Sequence, residues 1–161
     1  MKNTYDIEHL NECGEIELRQ FERLVPEVQA SAEQPVIRYS ARGESRPRLG
    51  GSPQIWLHLS AQVALPMMCQ RCLTTVETAI AIERKFRFVA TEEQALLEDE
   101  ESEEDILVQN PDSSAFNLRE LLEDELIMAL PMVAMHEECT PPVPLAEEKI
   151  NPFAVLGQLK K

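Results

Sequence analysis

The strongest constraint on the fold is a pair of long alternating runs on either side of a short Cys-x-x-Cys segment. In the first run, every second side chain from Ile55 to Leu65 is apolar, and from Val76 to Phe88 the second run shows the same period. Because side chains of a strand alternate between faces, each run predicts a strand with one buried and one wet face. A short connection between two such strands predicts an antiparallel pair. Arg84 interrupts the second apolar face, which predicts a bulge or an edge at that point.

Weaker patterns predict the remaining elements. Residues 35–42 alternate and predict a half-buried strand, and the turn formers of residues 43–53 predict a loop. Apolar residues within 15–29 have near-helical spacing interrupted by Pro26, which predicts a short, imperfect helix. Residues 106–109 predict one more short strand.

A helix is predicted over residues 117–130, before Pro131. Asn117 and Glu120 have the spacing of a helix cap with its reciprocal partner. Leucines then form an apolar stripe, and the charged side chains between them are expected to face outward. The outward set is Arg119, Glu120, Glu123 and Asp124.

Together these elements predict an α+β fold in one domain, residues 1–161. An antiparallel β-sheet, open or barrel-like, is expected to pack against one main helix in the C-terminal half, with irregular proline-rich and acidic loops. The predicted parts are a helix plus antiparallel strands in 15–90, an acidic loop or frayed helix in 91–105, a strand and helix in 106–131, and an irregular tail with a short terminal helix in 132–161.

Two pairs of potential metal ligands share one spacing. Cys69 and Cys72 fall on the predicted strand connection, and His136 and Cys139 repeat the three-residue step downstream. Three thiolates and one imidazole make the four ligands of a closed, structural zinc site. The alternative is that the two cysteines are small, partly buried residues and His136 lies in a surface loop. A redox-active dithiol is less favoured, because no strand-to-helix context follows the pair.

Basic residues gather in the N-terminal half. The formal net charge is −14, yet all of the excess acid lies after residue 90, including a run at 92–105 that could contact a basic protein or simply be solvated. Arginines and an aromatic on one open sheet face form a candidate RNA platform. The alternative is a solvated face with cross-strand ion pairs. The candidate RNA-binding residues are Arg38, Arg42, Arg46, Arg48, Trp56, Arg71, Lys85 and Arg87.

Several classes of protein are disfavoured. No run reaches the roughly 18 apolar residues of a membrane span, and the polar N-terminus is unlike a secretory signal. We therefore expect a cytoplasmic protein without membrane contact. No P-loop, dinucleotide fingerprint, serine elbow or HExxH motif occurs, so we expect neither an enzyme nor a small-molecule substrate.

Three motifs resemble one bacterial family. The Cys-Gln-Arg-Cys segment at 69–72, the Glu-Asp-Glu-Leu-Ile-x-Ala-Leu-Pro segment at 123–131 and the Asn-Pro-Phe-Ala-Val-Leu segment at 151–156 occur in the order found in the YceD family, called large ribosomal RNA subunit accumulation proteins. The resemblance covers about residues 15–161. It implies a role in synthesis or processing of 23S rRNA, and extra cysteines in some relatives are consistent with a metal site. It supplies no catalytic residue.

The function expected from these observations is a non-enzymatic factor for 23S rRNA accumulation and large-subunit assembly. Its expected partners are 23S rRNA or a pre-50S particle, and basic ribosomal proteins. The alternative is a protein-interaction adaptor that acts through its acidic half without touching RNA. Zinc is the one cofactor considered.

Overall fold

The computed structural model describes residues 7–29, 34–50, 53–99, 105–108 and 116–142, in which five strands form one sheet. The strands are β1 Asn11–Glu17, β2 Val36–Arg46, β3 Gln54–Met68, β4 Thr75–Val89 and β5 Asp105–Val108. The α-helices are α1 Glu92–Asp99 and α2 Leu118–Met128, and short 3₁₀ turns lie at Ile7–His9, Leu18–Gln20 and Val25–Glu27. None of the helices described is long and apolar enough to cross a membrane.

The spatial order of the strands follows the chain. β1 to β4 form an antiparallel meander, and β5 pairs parallel to β4. Antiparallel pairing is thus confirmed for the predicted strands β2, β3 and β4, and β1, which the sequence did not predict, adds a fourth antiparallel strand. The prediction is wrong for β5, because α1 lies between β4 and β5 and a crossover of this kind supports parallel pairing. In the described residues β1 and β5 are opposite edges, so the sheet is open and the barrel-like alternative is not formed.

The β3–β4 hairpin is the main structural unit of the sheet. Its register runs unbroken from the Ile55–Phe88 pair to the Met68–Thr75 pair. The apolar alternation predicted from the sequence is confirmed, and the covered face packs against α2 and the 3₁₀ turns. The core includes Phe21, Leu24, Leu57, Leu59, Leu65, Phe86, Leu122 and Leu126.

The N-terminal segment folds differently from its prediction. No α-helix forms in residues 15–29. β1 ends at Glu17 and two 3₁₀ turns follow. The buried side chains Leu18, Phe21 and Leu24 recur every three residues, which is the period of a 3₁₀ turn rather than of an α-helix. The prediction of an α-helix is therefore wrong, because the spacing of the buried side chains is three residues and not the 3.6 of an α-helix.

β2 continues four residues into the predicted loop and ends at Arg46. Within this extension Gly43 lies against the Ile7–His9 turn and donates its N–H to the Leu10 carbonyl at 2.7 Å. A Cβ at this position would lie 1.6 Å from the Ile7 carbonyl oxygen. Glycine here therefore permits backbone packing rather than marking a turn.

Arg84 lies on the covered face without a bulge. The ladder continues through the Leu59–Arg84 pair, so the bulge alternative is wrong. The edge alternative holds, since β5 pairs only with Phe86–Val89 of the outer side of β4. The Arg84 Nε lies 3.2 Å from Oε2 of Glu125, which is buried on α2. A carboxylate from the helix thus compensates the charge that interrupts the apolar face.

Glu123 is buried rather than exposed, contrary to its prediction. Its Oε1 accepts the N–H groups of Arg23 at 2.6 Å and Leu24 at 3.1 Å, and its Oε2 accepts from the Arg23 guanidinium. These N–H groups lie between two 3₁₀ turns, where no helical carbonyl is available, and buried donors require an acceptor. Asp124 also contacts the Arg23 guanidinium. The helix is thereby fastened to the N-terminal segment.

The predicted start of α2 is confirmed. The Asn117 side chain accepts the N–H groups of Arg119 and Glu120 at 3.2 and 3.3 Å. The helix ends at Met128, with Ala129 as C-cap, two residues before the predicted end. The reciprocal bond from Glu120 stays a prediction. In the acidic run, residues 92–99 are helical, and the predicted terminal helix at 151–161 lies outside the described residues.

We predict that Glu123→Ala destabilises the protein by about 2 kcal/mol, because two buried N–H groups lose their acceptor. Arg119→Ala is the matched control, since Arg119 is exposed on the same helix and its loss should cost less than about 0.5 kcal/mol. Urea unfolding monitored by tryptophan fluorescence measures both. Equal midpoints for the two variants would contradict the role assigned to Glu123.

Candidate metal centre and open sheet face

The connection between β3 and β4 is a tight turn that carries two of the four candidate ligands. Cys69 donates its N–H to the Thr74 carbonyl at 2.9 Å, and Leu73 donates to the Cys69 carbonyl at 2.9 Å. Leu73 has φ 60°, a left-handed conformation that leucine adopts at a cost of about 1 kcal/mol. It takes the position after the second cysteine, where a glycine would meet no such cost.

The segment after α2 runs alongside this turn. Gln70 donates its N–H to the Ala134 carbonyl at 2.9 Å, and the His136 N–H points at the Cys69 Sγ at 3.5 Å. These two contacts bring the pairs Cys69/Cys72 and His136/Cys139 together although 64 residues separate Cys72 from His136. The predicted constellation is therefore formed.

The four ligand atoms lie within 4.8 Å of one another. The Sγ atoms of Cys69 and Cys139 are 3.8 Å apart, and the Cys72 Sγ is 3.3 Å from the His136 Nδ1. A tetrahedral ion with metal–sulfur bonds of about 2.3 Å places two sulfurs about 3.8 Å apart. The cluster could therefore hold a metal ion.

The electrostatics of the cluster favour the thiolate forms of Cys69 and Cys72. Burial acts to raise the pKa of Cys69, but the backbone N–H groups of Cys72, His136 and Arg71 and the His136 ring outweigh it and bring that pKa to about 5. The Thr74 hydroxyl, 3.1 Å from the Cys72 Sγ, lowers the pKa of Cys72. A thiolate is the form that binds a metal.

The other two groups respond in the opposite direction. The protonated His136 ring donates to the sulfurs of Cys69 and Cys72, and these hydrogen bonds favour the imidazolium and raise the pKa of His136. Burial, followed by the neighbouring sulfurs of Cys69 and Cys72, raises the pKa of Cys139. The raised pKa keeps Cys139 a thiol, and a divalent cation bound at the cluster would favour its deprotonation to a thiolate. Four protein ligands leave no open position, which is the arrangement of a structural centre.

The second candidate site is the open sheet face, meaning the side chains of β1–β4 that point away from α2. Strand register places Arg42, His58 and Lys85 side by side in one row across β2, β3 and β4. Arg42 and Lys85 form no ion pair with any described residue. This row lines a shallow depression together with Ser40, Glu44, Ser60 and Glu83.

Other predicted cations of the face have carboxylate partners. The Arg38 Nε lies 3.0 Å from Glu15 of β1, and the Arg46 Nε lies 3.0 Å from Glu44. The pKa of Glu44 is lowered by its hydrogen bond from Arg46 and, despite some burial, by its contact with His58. One cross-strand ion pair, between Arg38 and Glu15, and one pair within β2, between Arg46 and Glu44, thus account for part of the face.

Trp56 lies on the open face but is only 3% exposed. The guanidinium carbons of Arg46 and Arg87 stand 4.8 and 5.7 Å from its ring centroid, and Arg87 is itself buried. The prediction of a projecting aromatic is therefore wrong, because cation–π neighbours enclose the ring. Alternation assigns a residue to a face, but it does not show what covers that face.

Arg48 and Arg71 are exposed in connections at the two ends of β3. A strand of this length spans roughly 45 Å, so these two arginines do not share a site with each other. The eight predicted RNA-binding residues thus fall into four pairs. Arg42 and Lys85 lie in the row, Arg38 and Arg46 have carboxylate partners, Trp56 and Arg87 are buried, and Arg48 and Arg71 lie in distant connections. The Thr74 hydroxyl at the metal cluster had no sequence signal.

One family model matches the chain, over residues 57–160, which is more than half of its length. It is described as "Large ribosomal RNA subunit accumulation protein YceD". No curated protein and no solved structure matches. The matched residues contain β3 from Leu57 onward, β4, α2 and all four candidate ligands, whereas β1 and β2 precede them. The chain therefore belongs to the YceD family of large ribosomal RNA subunit accumulation proteins.

Proposed function

We propose that the protein is a non-enzymatic, cytoplasmic factor that promotes accumulation of 23S rRNA and assembly of the large ribosomal subunit by holding a segment of rRNA, free or in a pre-50S particle. The observation that carries this proposal is the row of Arg42, His58 and Lys85 on the open face of the sheet in a member of this family. Two cations that form no ion pair with any other described residue, separated by a ring, are suited to phosphates and a base.

The contact is expected to be weak and reversible. The open face also bears Glu15, Glu44 and Glu83, and the chain as a whole carries a formal charge of −14. Phosphate is therefore attracted only at the row itself and repelled elsewhere. A factor that must leave once the particle matures benefits from such a balance, because a uniformly basic face would bind any RNA.

We propose that the metal cluster is a structural zinc site. The donor set of three thiolates and one imidazole is a standard set for zinc, and the 3.8 Å distance between the Cys69 and Cys139 sulfurs fits its tetrahedral geometry. Cys69, Cys72, His136 and Cys139 would hold the ion. Bound there, zinc would clamp the segment after α2 to the hairpin turn.

The contacts of the carboxylates support a role without catalysis. Glu123 is engaged by Arg23 and Glu125 by Arg84, so the acidic stretch of α2 serves packing rather than forming a paired site for a divalent ion. The second candidate function is the adaptor that contacts ribosomal proteins without RNA. The ion pairs of Arg38 and Arg46 favour it, since they leave few free cations on the face.

Removal of a ligand should remove the metal. We predict that protein purified without chelator contains roughly one equivalent of zinc and that Cys72→Ser lowers this to a small fraction. Cys13→Ser is the matched control, because Cys13 is an exposed cysteine of β1 outside the cluster. Metal analysis by mass spectrometry measures all three proteins. Zinc-free wild-type protein, or equal content in both variants, would refute the assignment.

Neutralising the row should change the salt dependence of RNA binding. For Arg42→Gln with Lys85→Gln we expect weaker binding to a 23S rRNA precursor transcript. The slope of log K against log salt should flatten by about 1 to 2, since each lost phosphate contact contributes about 0.7 to 0.9. Arg19→Gln, an exposed arginine away from the face, is the control. Filter binding over a salt series tests both, and unchanged affinity and slope in the double variant would favour the adaptor function.

A further inference from the structure

A group of exposed apolar side chains surrounds the metal cluster. Five side chains on the hairpin turn and on the segment after α2 are between 45% and 100% exposed. We call them the methionine collar: Met68, Leu73, Met132, Val133 and Met135. Single exposed apolar residues are ordinary, but a contiguous group of them marks an interaction site.

The collar is one surface because its two segments are held side by side. The bond from the Gln70 N–H to the Ala134 carbonyl and the contact of the His136 N–H with the Cys69 sulfur join them. Every collar residue lies within three positions of one of these four anchoring residues. Each of the two segments supplies two of the four candidate metal ligands, so a bound ion would join the segments and fix the collar further.

Leu73 gives an independent sign that the collar serves contact. Its left-handed backbone, φ 60°, is costly for leucine, and its side chain is more than half exposed. The side chain therefore contributes little burial to the fold and adds strain to the turn. An apolar group held outward at that cost is best explained by a surface that covers it in a complex.

The charges around the collar select the chemistry of the partner. Glu137 and Glu138 are exposed within the collar's own segment, and Glu77 is exposed near the start of β4, against Arg71 as the exposed cation of the turn. Two copies of the chain would bring two such rims together and repel each other. RNA would be repelled in the same way. A cationic partner with an apolar face matches both the rim and the collar.

We infer that the methionine collar is a docking surface for a basic amphipathic segment of another protein. Flexible, polarizable methionine side chains adapt to varied apolar faces, and an amphipathic helix commonly docks in this way. The acidic residues orient the segment by pairing with its lysines or arginines. This surface is separate from the Arg42–Lys85 row, so the protein can hold RNA and a basic protein at different places.

The test measures binding of a fluorescent amphipathic peptide of about 18 residues, built of leucine and lysine, by anisotropy near physiological salt. The comparison peptide has the same composition in scrambled order, so that it keeps the charge and loses the apolar face. Met132→Ser with Met135→Ser removes apolar area without changing the charge and should weaken binding of the amphipathic peptide about tenfold or more. Leu49→Ser is the matched control, because Leu49 is a fully exposed apolar residue at the opposite end of β3.

The docking surface is supported if the wild type and the Leu49 variant bind the amphipathic peptide more tightly than the scrambled one, and the collar variant does not. Equal binding of both peptides, or equal affinity of the collar variant and wild type, would overturn it. Sedimentation of the free protein supplies a further check. Self-association that the collar variant abolishes would show that a second copy is the occupant and would overturn the proposal. RNA binding is assayed with other variants, so the two proposals fail separately.

Discussion

The unbroken antiparallel ladder between β3 and β4 determines where every other feature of the protein lies. Its covered face provides the apolar surface for α2 and the 3₁₀ turns, and its open face bears His58 and Lys85 beside Arg42 of β2. Its turn carries Cys69 and Cys72 at one end. Because a slip of one residue would exchange the two faces, this single register fixes the core, the cationic row and the position of the metal ligands together.

The carboxylates of the acidic half have different structural roles. The excess of carboxylates suggests a merely solvated surface, yet Glu123 and Glu125 are buried and hold Arg23 and Arg84. Such pairs are weak sources of net stability, but they are costly to break from one side and therefore fix how the helix sits on the sheet. Other carboxylates, such as Glu137 and Glu138, are exposed and contribute to the acidic rim of the proposed docking surface.

The sequence predicted those features that depend on local periodicity or on ligand spacing. The alternation of β3 and β4, the cap at Asn117 and the two ligand pairs needed no knowledge of distant contacts, and all are present. Features that depend on a distant partner were missed. Helical periodicity points Glu123 outward, but the N–H groups that donate to it lie about a hundred residues away in the sequence. Alternation assigns Trp56 to the open face, but it carries no sign of Arg46 and Arg87, which enclose the ring from neighbouring strands. The parallel pairing of β5 depends on α1, which the acidic composition obscured.

The metal cluster links the two surfaces that the proposals assign. Its ligands come equally from the hairpin turn, which continues into the strands of the cationic row, and from the segment that follows α2 and carries most of the collar. That segment has few backbone bonds of its own to the sheet, so its position depends on the contacts at Gln70 and Cys69. A bound ion would add four metal–ligand bonds to these few hydrogen bonds and so strengthen this alignment. A bound metal ion should therefore affect the shape of the collar more than the stability of the β3–β4 ladder. The ladder consists of fourteen consecutive residue pairs, and most of them lie far from the metal ligands.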